Sequence, residues 1–278
     1  MELHSRFIEH KYGKMTLYFL GDIHEGHCNH DEEAFKKAVE IIDKDENGYW
    51  FGMGDAVDCI TISDSKRFNP IEVSTKYSLK DLKDLPYRQI EYVYEKLKPI
   101  DHKCIALLIG NHEESYVKYN HSDVYARFHE MFESNPKKLG YVGYVRLTIG
   151  NWENDKKHNI DIALNHGVGG GGRLRGFPLN KVHDVFRWTD CDINVMGHIH
   201  QLMGDDIDIV KMNQVGRLTI RNRIWGVSGC FLRTYKESNV NYFEARAGGM
   251  QTKVGMFAVD INYDGKNRPK LTWRTIEL

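Results

Sequence analysis

The sequence is poor in the features that mark secreted, membrane-bound and cross-linked proteins. It has only five cysteines, at wide spacings and without a CxxC pair, which argues against a disulfide framework or a zinc ribbon. No apolar run approaches the length of a membrane span, and the charged N-terminus leads into no apolar signal segment. We therefore expect a cytoplasmic protein in a reducing compartment, with no membrane as a partner.

The sequence also lacks a strong excess of charge of one sign and any segment that reads as a linker between domains. The formal net charge is −1, so nothing global demands nucleic acid or an anionic membrane as a partner. The sequence has six prolines and no proline- or serine-rich linker, which predicts one domain over residues 1–278. Hydrophobic residues at 41% and charged residues at 28% are typical of a soluble globular protein.

What the sequence does contain is a series of short apolar runs, each ending in a glycine or a polar turn. A run at 15–20, a helix opening at Asp31 and a second run at 49–53 predict a β-α-β unit of a partly parallel sheet. Residues 59–100 predict a partly helical insert, and a third strand is predicted at 104–109. The part from Gly140 onwards is β-rich, with strands predicted at 141–149, 160–164, 193–196, 218–227, 253–261 and 270–276.

Five of these runs are followed directly by residues that bind metals. In chain order the blocks are Asp22-Ile23-His24, Gly54-Asp55-Ala56-Val57-Asp58, Gly110-Asn111-His112-Glu113, Asn165-His166-Gly167 and Gly197-His198-Ile199-His200. Residues two apart in a strand-to-loop turn can project to the same side. Asp22 and His24 can therefore hold one metal together, and the same is true of His198 and His200.

The other blocks complete the donor set. The two carboxylate oxygens of Asp55 can bridge two cations, Asn111 offers an amide oxygen, and His166 adds an imidazole. Seven candidate ligands without a cysteine suit divalent manganese, iron, nickel or zinc. Each block alone is more often structural than functional. Their joint occurrence at strand ends favours a two-metal hydrolytic site, in which the ions lie about 3.5–4 Å apart.

Together the five blocks resemble the calcineurin-like metallophosphoesterase superfamily, whose pattern is DxH, GDxxD, GNH[DE], H and GHxH. The resemblance extends from Asp22 to His200. It implies an α/β fold in which two mixed β-sheets pack as a sandwich with flanking helices, with the blocks on loops at one edge. It also implies a phosphoesterase that depends on two divalent metal ions, for which manganese is the first expectation.

The resemblance further implies a role for each motif position. One cation would be bound by Asp22, His24, Asp55 and His200, and the other by Asp55, Asn111, His166 and His198. A hydroxide bridging the two cations would attack phosphorus. His112 would protonate the leaving oxygen, and Asp58 would pair with His112 and hold it as an imidazolium. Glu113 is expected to be a surface carboxylate or one that supports the ligands from behind.

Departures from the family pattern bear on the substrate. Protein phosphatases of the superfamily have Arg-Gly after the second block, where this sequence has Cys59-Ile60. The complete Gly197–His200 block resembles the phosphodiesterase and nuclease branches better, although the repair nucleases typically have a histidine at the position of Asp58. Residues 231–256 also resemble the tails of phage and prophage members, several of which are described as exonuclease-like.

Two stretches without acidic residues offer positive charge. Arg173 and Arg175 follow a glycine run after His166 and can fork onto phosphate oxygens, although a solvent-exposed surface loop accounts for them equally well. Arg221 and Arg223 share a strand face that is either solvated or a nucleic-acid track. We therefore expect a phosphodiesterase acting on DNA or oligonucleotides. A phosphoesterase for nucleotides or cyclic nucleotides is the alternative, and a protein phosphatase or a scaffold without metals is less consistent with the intact motifs.

Overall fold

Two mixed six-stranded sheets form the framework of the chain. The computed structural model describes residues 2–10, 12–78, 80–150, 157–170, 172, 174–212, 215–234 and 251–278. In the order of its strands, the first sheet contains β1 (Glu2–Glu9), β6 (Val142–Gly150), β7 (Lys157–Asn165), β8 (Ile193–Met196), β10 (Leu218–Ser228) and β9 (Leu202–Met212). The second contains β12 (Lys270–Glu277), β11 (Gly255–Tyr263), β2 (Gly13–Leu20), β3 (Gly48–Gly52), β4 (Cys104–Leu107) and β5 (Lys137–Lys138).

Helices cover the outer faces of this sandwich. They are α1 (Glu32–Lys44), α2 (Leu85–Leu97), α3 (Asn111–Asn120), α4 (Val124–Glu130) and α5 (Phe177–Phe186). Apolar side chains of α1, α2 and α4 pack on one face of the second sheet, and Val182 and Phe186 of α5 pack on the first. The remaining core lies between the two sheets, where Phe19 and Phe51 stack with their ring centroids 5.4 Å apart. The predicted α/β sandwich is confirmed.

The elements that sequence patterns did not predict are mostly exposed to solvent. Strand β1 has a single buried residue, Ile8, and β9 has three aspartates and only Leu202 buried, so neither shows an apolar face. Helix α3 buries only Glu113 and therefore lacks an apolar stripe. These elements are fixed by strand pairing and by the site rather than by local hydrophobic pattern.

The sheet topology brings the motif blocks together. Strands β2, β3 and β4 are parallel neighbours in the second sheet, and β7 and β8 are parallel neighbours in the first. The blocks follow the carboxyl ends of these five strands, so both sheets deliver their ligands to one edge of the sandwich. The insert between β3 and β4 contains turns, a short 3₁₀ helix at Asp81–Lys83 and α2.

Candidate metal centre

The backbone of the candidate ligands is left-handed at most positions. The torsion φ is +50° at Asp22, +51° at His24, +48° at Asp55, +69° at His198 and +56° at His200. This conformation costs a residue with a side chain about 1–2 kcal/mol. Such strain is found where surrounding structure and function demand it. Here the left-handed residues directly follow strands, and their carboxylates and imidazoles cluster at one edge of the sandwich.

Glycines permit the close approach of the motif loops. A Cβ at Gly54, whose φ is +89°, would lie 2.6 Å from His166 Nδ1 and 2.8 Å from the Gly110 backbone. A Cβ at Gly110 would lie 2.0 Å from Asp55 Oδ1. Only glycine therefore allows the second, third and fourth blocks to meet around Asp55.

The first group of donors consists of Asp22, His24 and His200. One ligand atom from each lies within 4.8 Å of the others. The Nε2 atoms of His24 and His200 are 3.1 Å apart, and His200 Nε2 is 3.4 Å from Asp22 Oδ1. Three donor atoms at these distances from one another could bind a single cation between them.

The second group consists of Asp55, His166 and His198, whose ligand atoms also lie within 4.8 Å of one another. His166 Nε2 is 3.2 Å from Asp55 Oδ2 and 3.0 Å from Asn111 Oδ1, so the amide predicted as a ligand joins this group. His166 Nδ1 lies 2.8 Å from the Met53 carbonyl oxygen. That contact orients the ring and leaves Nε2 for a metal.

Asp55 lies between the two groups. Its Oδ2 is 3.2 Å from His166 Nε2 in the second group and 3.7 Å from His24 Nε2 in the first. Its Oδ1 accepts a hydrogen bond of 2.9 Å from the His112 main-chain N–H. The carboxylate is thus oriented from one side while the other oxygen faces both donor groups, as a bridging ligand requires.

The electrostatics of the pocket fit a pair of cations. Burial lowers the pKa of His166, but the carboxylates of Asp55 and Asp22 outweigh it and raise that pKa to about 10. Burial likewise opposes ionisation of Asp55, yet the neighbouring histidines hold its pKa well below the usual range. Buried anions surrounded by imidazoles form a site that attracts positive charge, and the oxygen and nitrogen donors suit divalent first-row metals. The seven predicted ligands are therefore brought together, and their coordination remains a prediction.

His112 lies beside the first group and clusters with His24 and Asp58, whose ligand atoms are also within 4.8 Å of its own. Its ring meets that of His24 edge-on, with centroids 4.6 Å apart. Its Nδ1 bonds to the main-chain carbonyl oxygen of Asp58, while the Asp58 carboxylate is farther away, at 3.5 Å. The same carboxylate is 3.8 Å from His24 Nδ1. The structure thus refines the expected pair: Asp58 holds His112 first through its backbone, and its side chain is shared with His24.

This geometry predicts a modest effect for Asp58→Asn. We expect kcat to fall about 10-fold, the lower end of the 10–100-fold range for residues that orient an active group, because the carbonyl contact survives. Burial lowers the pKa of His112, but Asp55 and Asp58 raise it overall. Loss of one carboxylate lowers that pKa, so the alkaline limb of the pH–kcat profile should move to lower pH. An unchanged profile, equal to that of the exposed control Asp84→Asn, would contradict the role of the side chain.

Glu113 supports the site from beneath the loops. Its side chain is buried and accepts main-chain N–H hydrogen bonds from Asp55 (3.2 Å), Ala56 (2.7 Å), Val57 (3.2 Å) and Gly110 (3.0 Å). Burial and the neighbouring Asp55 raise the pKa of Glu113 to about 7. One carboxylate therefore ties the second and third blocks together. The sequence alone did not predict that Glu113 bonds to the main chain of both blocks.

Metal affinity tests this support directly. Glu113→Ala leaves four buried N–H groups to find new partners, and we expect the dissociation constant for Mn²⁺ to rise about 10–100-fold. The adjacent Glu114 is exposed on α3, so Glu114→Ala is the matched control. Equal affinities of the two variants in titration calorimetry would contradict this assignment.

Sequence reasoning missed Glu25, the residue after the first block. Its carboxylate is buried and accepts a 2.8 Å hydrogen bond from Tyr77. It also forms ion pairs with Lys76 and Lys96, and lies 3.4 Å from His30 Nε2. Burial opposes ionisation, but His30 and the lysines outweigh it and lower the pKa of Glu25. The insert is thereby tied to the loop that carries Asp22 and His24, a contact with no local sequence signal.

The predicted substrate-binding arginines lie outside this cluster. Arg173 is outside the described residues. Arg175 is exposed and lines an open cavity of about 590 Å³ together with Gln201, the residue after His200. The alternative nucleic-acid track on β10 is not supported, because Arg221 pairs with the buried Asp192 and Arg223 donates to the carbonyl oxygens of Thr189 and Cys191 in the loop between α5 and β8. The charge of these two residues serves the fold.

Comparison with known proteins agrees with this geometry. The model of the calcineurin-like phosphoesterase family matches residues 15–202, more than half of the chain, and the chain therefore belongs to this family. It is a metal-dependent phosphoesterase, a hydrolase, and members of the family typically bind two divalent metals. No curated protein sequence matches the chain significantly.

Solved structures with a similar course of the chain are remote in sequence. The NAD nucleotidase NadN of Haemophilus influenzae is 12% identical, with a TM-score of 0.42 over 96% of this chain and 50% of NadN, so the chain spans half the length of that protein. Vps29 of Chaetomium thermophilum is 10% identical, with a TM-score of 0.38 over 94% of this chain and 97% of Vps29. GAP50, the anchor in the inner membrane complex of Plasmodium, is 8% identical, with a TM-score of 0.46 over 96% of this chain and 89% of GAP50.

Among the described residues, no helix is long and apolar enough to cross a membrane.

Proposed function

We propose that this phosphoesterase hydrolyses phosphodiesters, with DNA or oligonucleotides as its substrate class. The observation that carries the proposal is the open cavity of about 590 Å³ whose lining includes Gln201, the residue after His200, and the basic residues Arg175, Arg233 and Lys253 besides one acid, Glu277. Arg233 and Lys253 are paired with acids, whereas Arg175 has no acidic partner within the described chain. A polyanion extending from the metal cluster into this cavity would meet positive charge and polar side chains.

The proposed chemistry assigns each ligand by its place in the two donor groups. One cation is held by Asp22, His24, Asp55 and His200, and the other by Asp55, Asn111, His166 and His198. When bound, the cations polarise the phosphoryl group and activate water as the nucleophile. Manganese is the metal proposed first, and the oxygen and nitrogen donors suit iron, nickel or zinc as well.

His112 acts as the proposed general acid. The Asp58 carbonyl oxygen accepts a hydrogen bond from Nδ1–H, and in the imidazolium form, which the raised pKa of His112 favours, Nε2 carries a proton as well. No described residue bonds to Nε2. That second nitrogen is therefore available to donate a proton to the leaving oxygen of the ester.

Tyr141 donates a 2.6 Å hydrogen bond to the Gly167 carbonyl oxygen and packs edge-on against His166, which steadies the fourth block.

The cysteines support a cytoplasmic location. All five are free, and Cys59, Cys104 and Cys230 are buried. Free thiols are typical of a reducing compartment, so we propose that the protein acts in the cytoplasm.

A substrate panel with added Mn²⁺ tests the proposed function. It compares a chromogenic phosphodiester, a phosphomonoester, cyclic nucleotides, and single- and double-stranded DNA. We expect cleavage of the diester and of at least one form of DNA, with weak monoester hydrolysis. Turnover of nucleotides or cyclic nucleotides without DNA cleavage would replace this proposal with the small-molecule alternative.

Salt dependence tests the role of Arg175. Replacing it with Ala should weaken DNA binding and reduce the slope of log K against log salt by about one phosphate contact, or about two in the Arg173→Ala/Arg175→Ala double variant. Turnover of the chromogenic diester should change little. The control is Arg127→Ala, an exposed arginine on α4 that pairs with Glu130. An equal loss of DNA binding and of diester turnover would instead place these arginines at the reacting phosphate.

A further inference from the structure

Strands β9 and β10 form a two-stranded ribbon, and one face of this ribbon continues the inner face of the first sheet. A Cβ at Gly226 would lie 2.4 Å from the ring of Phe257, which belongs to the second sheet. Ile224, two residues earlier, is fully buried between the sheets. Because side chains alternate along a strand, Ile220 and Leu218 lie on the same inner face as Ile224.

Four large apolar side chains at the end of this face are exposed to solvent. Across the two strands, Leu218 pairs with Met212 and Ile220 pairs with Val210. The exposed fractions are 71% for Leu218, 68% for Met212, 73% for Ile220 and 64% for Val210. Directly paired residues on one face have Cβ atoms about 4.5–5.5 Å apart, so the four side chains form one continuous patch. We call these four residues the apolar overhang.

A cavity of about 700 Å³ opens beside the apolar overhang and has opposite charges on its two walls. Ile220 and Asp208 line the wall formed by the first sheet, and Lys270 lines the wall formed by β12. Asp208 is exposed and accepts a 3.2 Å hydrogen bond from Asn222. Within the described part of the chain, no base pairs with Asp208 and no acid pairs with the exposed Lys270. One surface therefore presents an apolar patch together with an acid and a base that lack ion-pair partners.

A second copy of the chain is the partner that matches this combination. In a dimer with two-fold symmetry the same surface of both copies meets, so a residue that contacts a second residue of its partner is contacted by the partner in the same way. The apolar overhang is complementary to itself, and Asp208 of one copy can pair with Lys270 of the other twice in each dimer. The outer position of β9 in the first sheet leaves room for this approach.

We propose that the protein forms a two-fold symmetric dimer in which the two apolar overhangs pack on each other and each Asp208 pairs with Lys270 of the other copy. This dimer leaves both metal centres open. The far end of β10 adjoins the metal cluster, where Ser228 Oγ lies 3.5 Å from Asp22 Oδ2. A strand advances about 3.3 Å per residue, which places Ile220 about 26 Å from that end.

Sedimentation equilibrium tests the apolar contact. Wild type should show a species of twice 32.3 kDa that dissociates on dilution. Ile220→Thr keeps a β-branched residue and should raise the dissociation constant of the dimer at least about 10-fold, because each dimer buries this side chain twice. Ile207→Thr is the matched control, since Ile207 is exposed on the opposite face of the same ribbon. Turnover of the chromogenic diester should be unchanged in both variants.

Charge exchange tests the pairing of Asp208 with Lys270. Asp208→Lys and Lys270→Glu each bring like charges together at both contacts, and each should weaken the dimer at least about 10-fold. An equal mixture of the two variants should recover wild-type affinity, because both contacts of the mixed dimer then join opposite charges. Failure of the mixture to form a mixed dimer would overturn the proposal.

The sedimentation results decide the proposal in the same way. A single species of 32.3 kDa at every concentration of wild type would overturn it. A dimer that is equally stable in wild type and Ile220→Thr, with the melting temperature preserved, would also overturn it, since the contact would then use another face. If Ile220→Thr does not fold, the mixture of charge variants decides alone.

Discussion

Replacing Asp55 with Ala should abolish metal-dependent turnover, with a loss of at least about 10³-fold, since even residues that only orient metal ligands typically cost 10–100-fold. The reason is the position of Asp55 between the two donor groups, 3.2 Å from His166 Nε2 and 3.7 Å from His24 Nε2. Removal of a bridging carboxylate weakens both cation sites at once, so metal content should fall from two ions per chain to at most one.

The control for this variant is Asp43→Ala, which removes an exposed carboxylate of α1. Metal content by mass spectrometry and turnover of the chromogenic diester should remain at wild-type levels in the control. Full occupancy and activity in Asp55→Ala would show that the cluster is not the catalytic metal centre.

Replacing His112 with Ala should lower kcat about 10²–10⁴-fold while both metals remain bound, because general-acid assistance contributes that much to such reactions. His112, the histidine of the third block, belongs to neither of the two donor groups, and the Asp58 main-chain carbonyl oxygen holds its Nδ1. The loss should shrink along a series of aryl diesters as the leaving group becomes a better one, since a good leaving group needs little protonation.

His102→Ala is the matched control, since His102 is exposed at the other end of β4. A loss in His112→Ala that is equal for every leaving group would indicate a binding or structural role in place of proton transfer. A parallel loss of bound manganese would indicate that His112 is a metal ligand.

The strands that bring the blocks together were predictable because each contains an apolar run followed by a distinctive polar turn; β7 (Lys157–Asn165) was predicted only over 160–164, since its first three residues are polar. Strand β8 was predicted with the bounds that the structure shows, Ile193–Met196, and β2 was predicted two residues short at its start. Side chains buried on both faces give such strands a continuous apolar signal. The convergence of the blocks then followed from parallel order.

Other features depend on contacts between distant parts of the chain and leave no local pattern. Glu25 is buried only because the insert returns with Lys76 and Tyr77 to bind it. The burial of Glu113 depends on four main-chain N–H groups from two separate loops that donate to its carboxylate, and no local pattern predicts such an arrangement. The arginines of β10 show the opposite case, in which a sequence pattern suggested a function that the fold does not support. Arg221 pairs with Asp192 and Arg223 donates to a loop carbonyl oxygen, so this basic strand face serves contacts within the protein.

A crystal structure of the protein grown with Mn²⁺, with anomalous diffraction recorded at the manganese edge, tests the central claim most directly. We predict two anomalous peaks about 3.5–4 Å apart on either side of the Asp55 carboxylate. One peak should contact Asp22, His24 and His200, and the other Asn111, His166 and His198. A single peak, or peaks bound by other residues, would contradict the two-metal account.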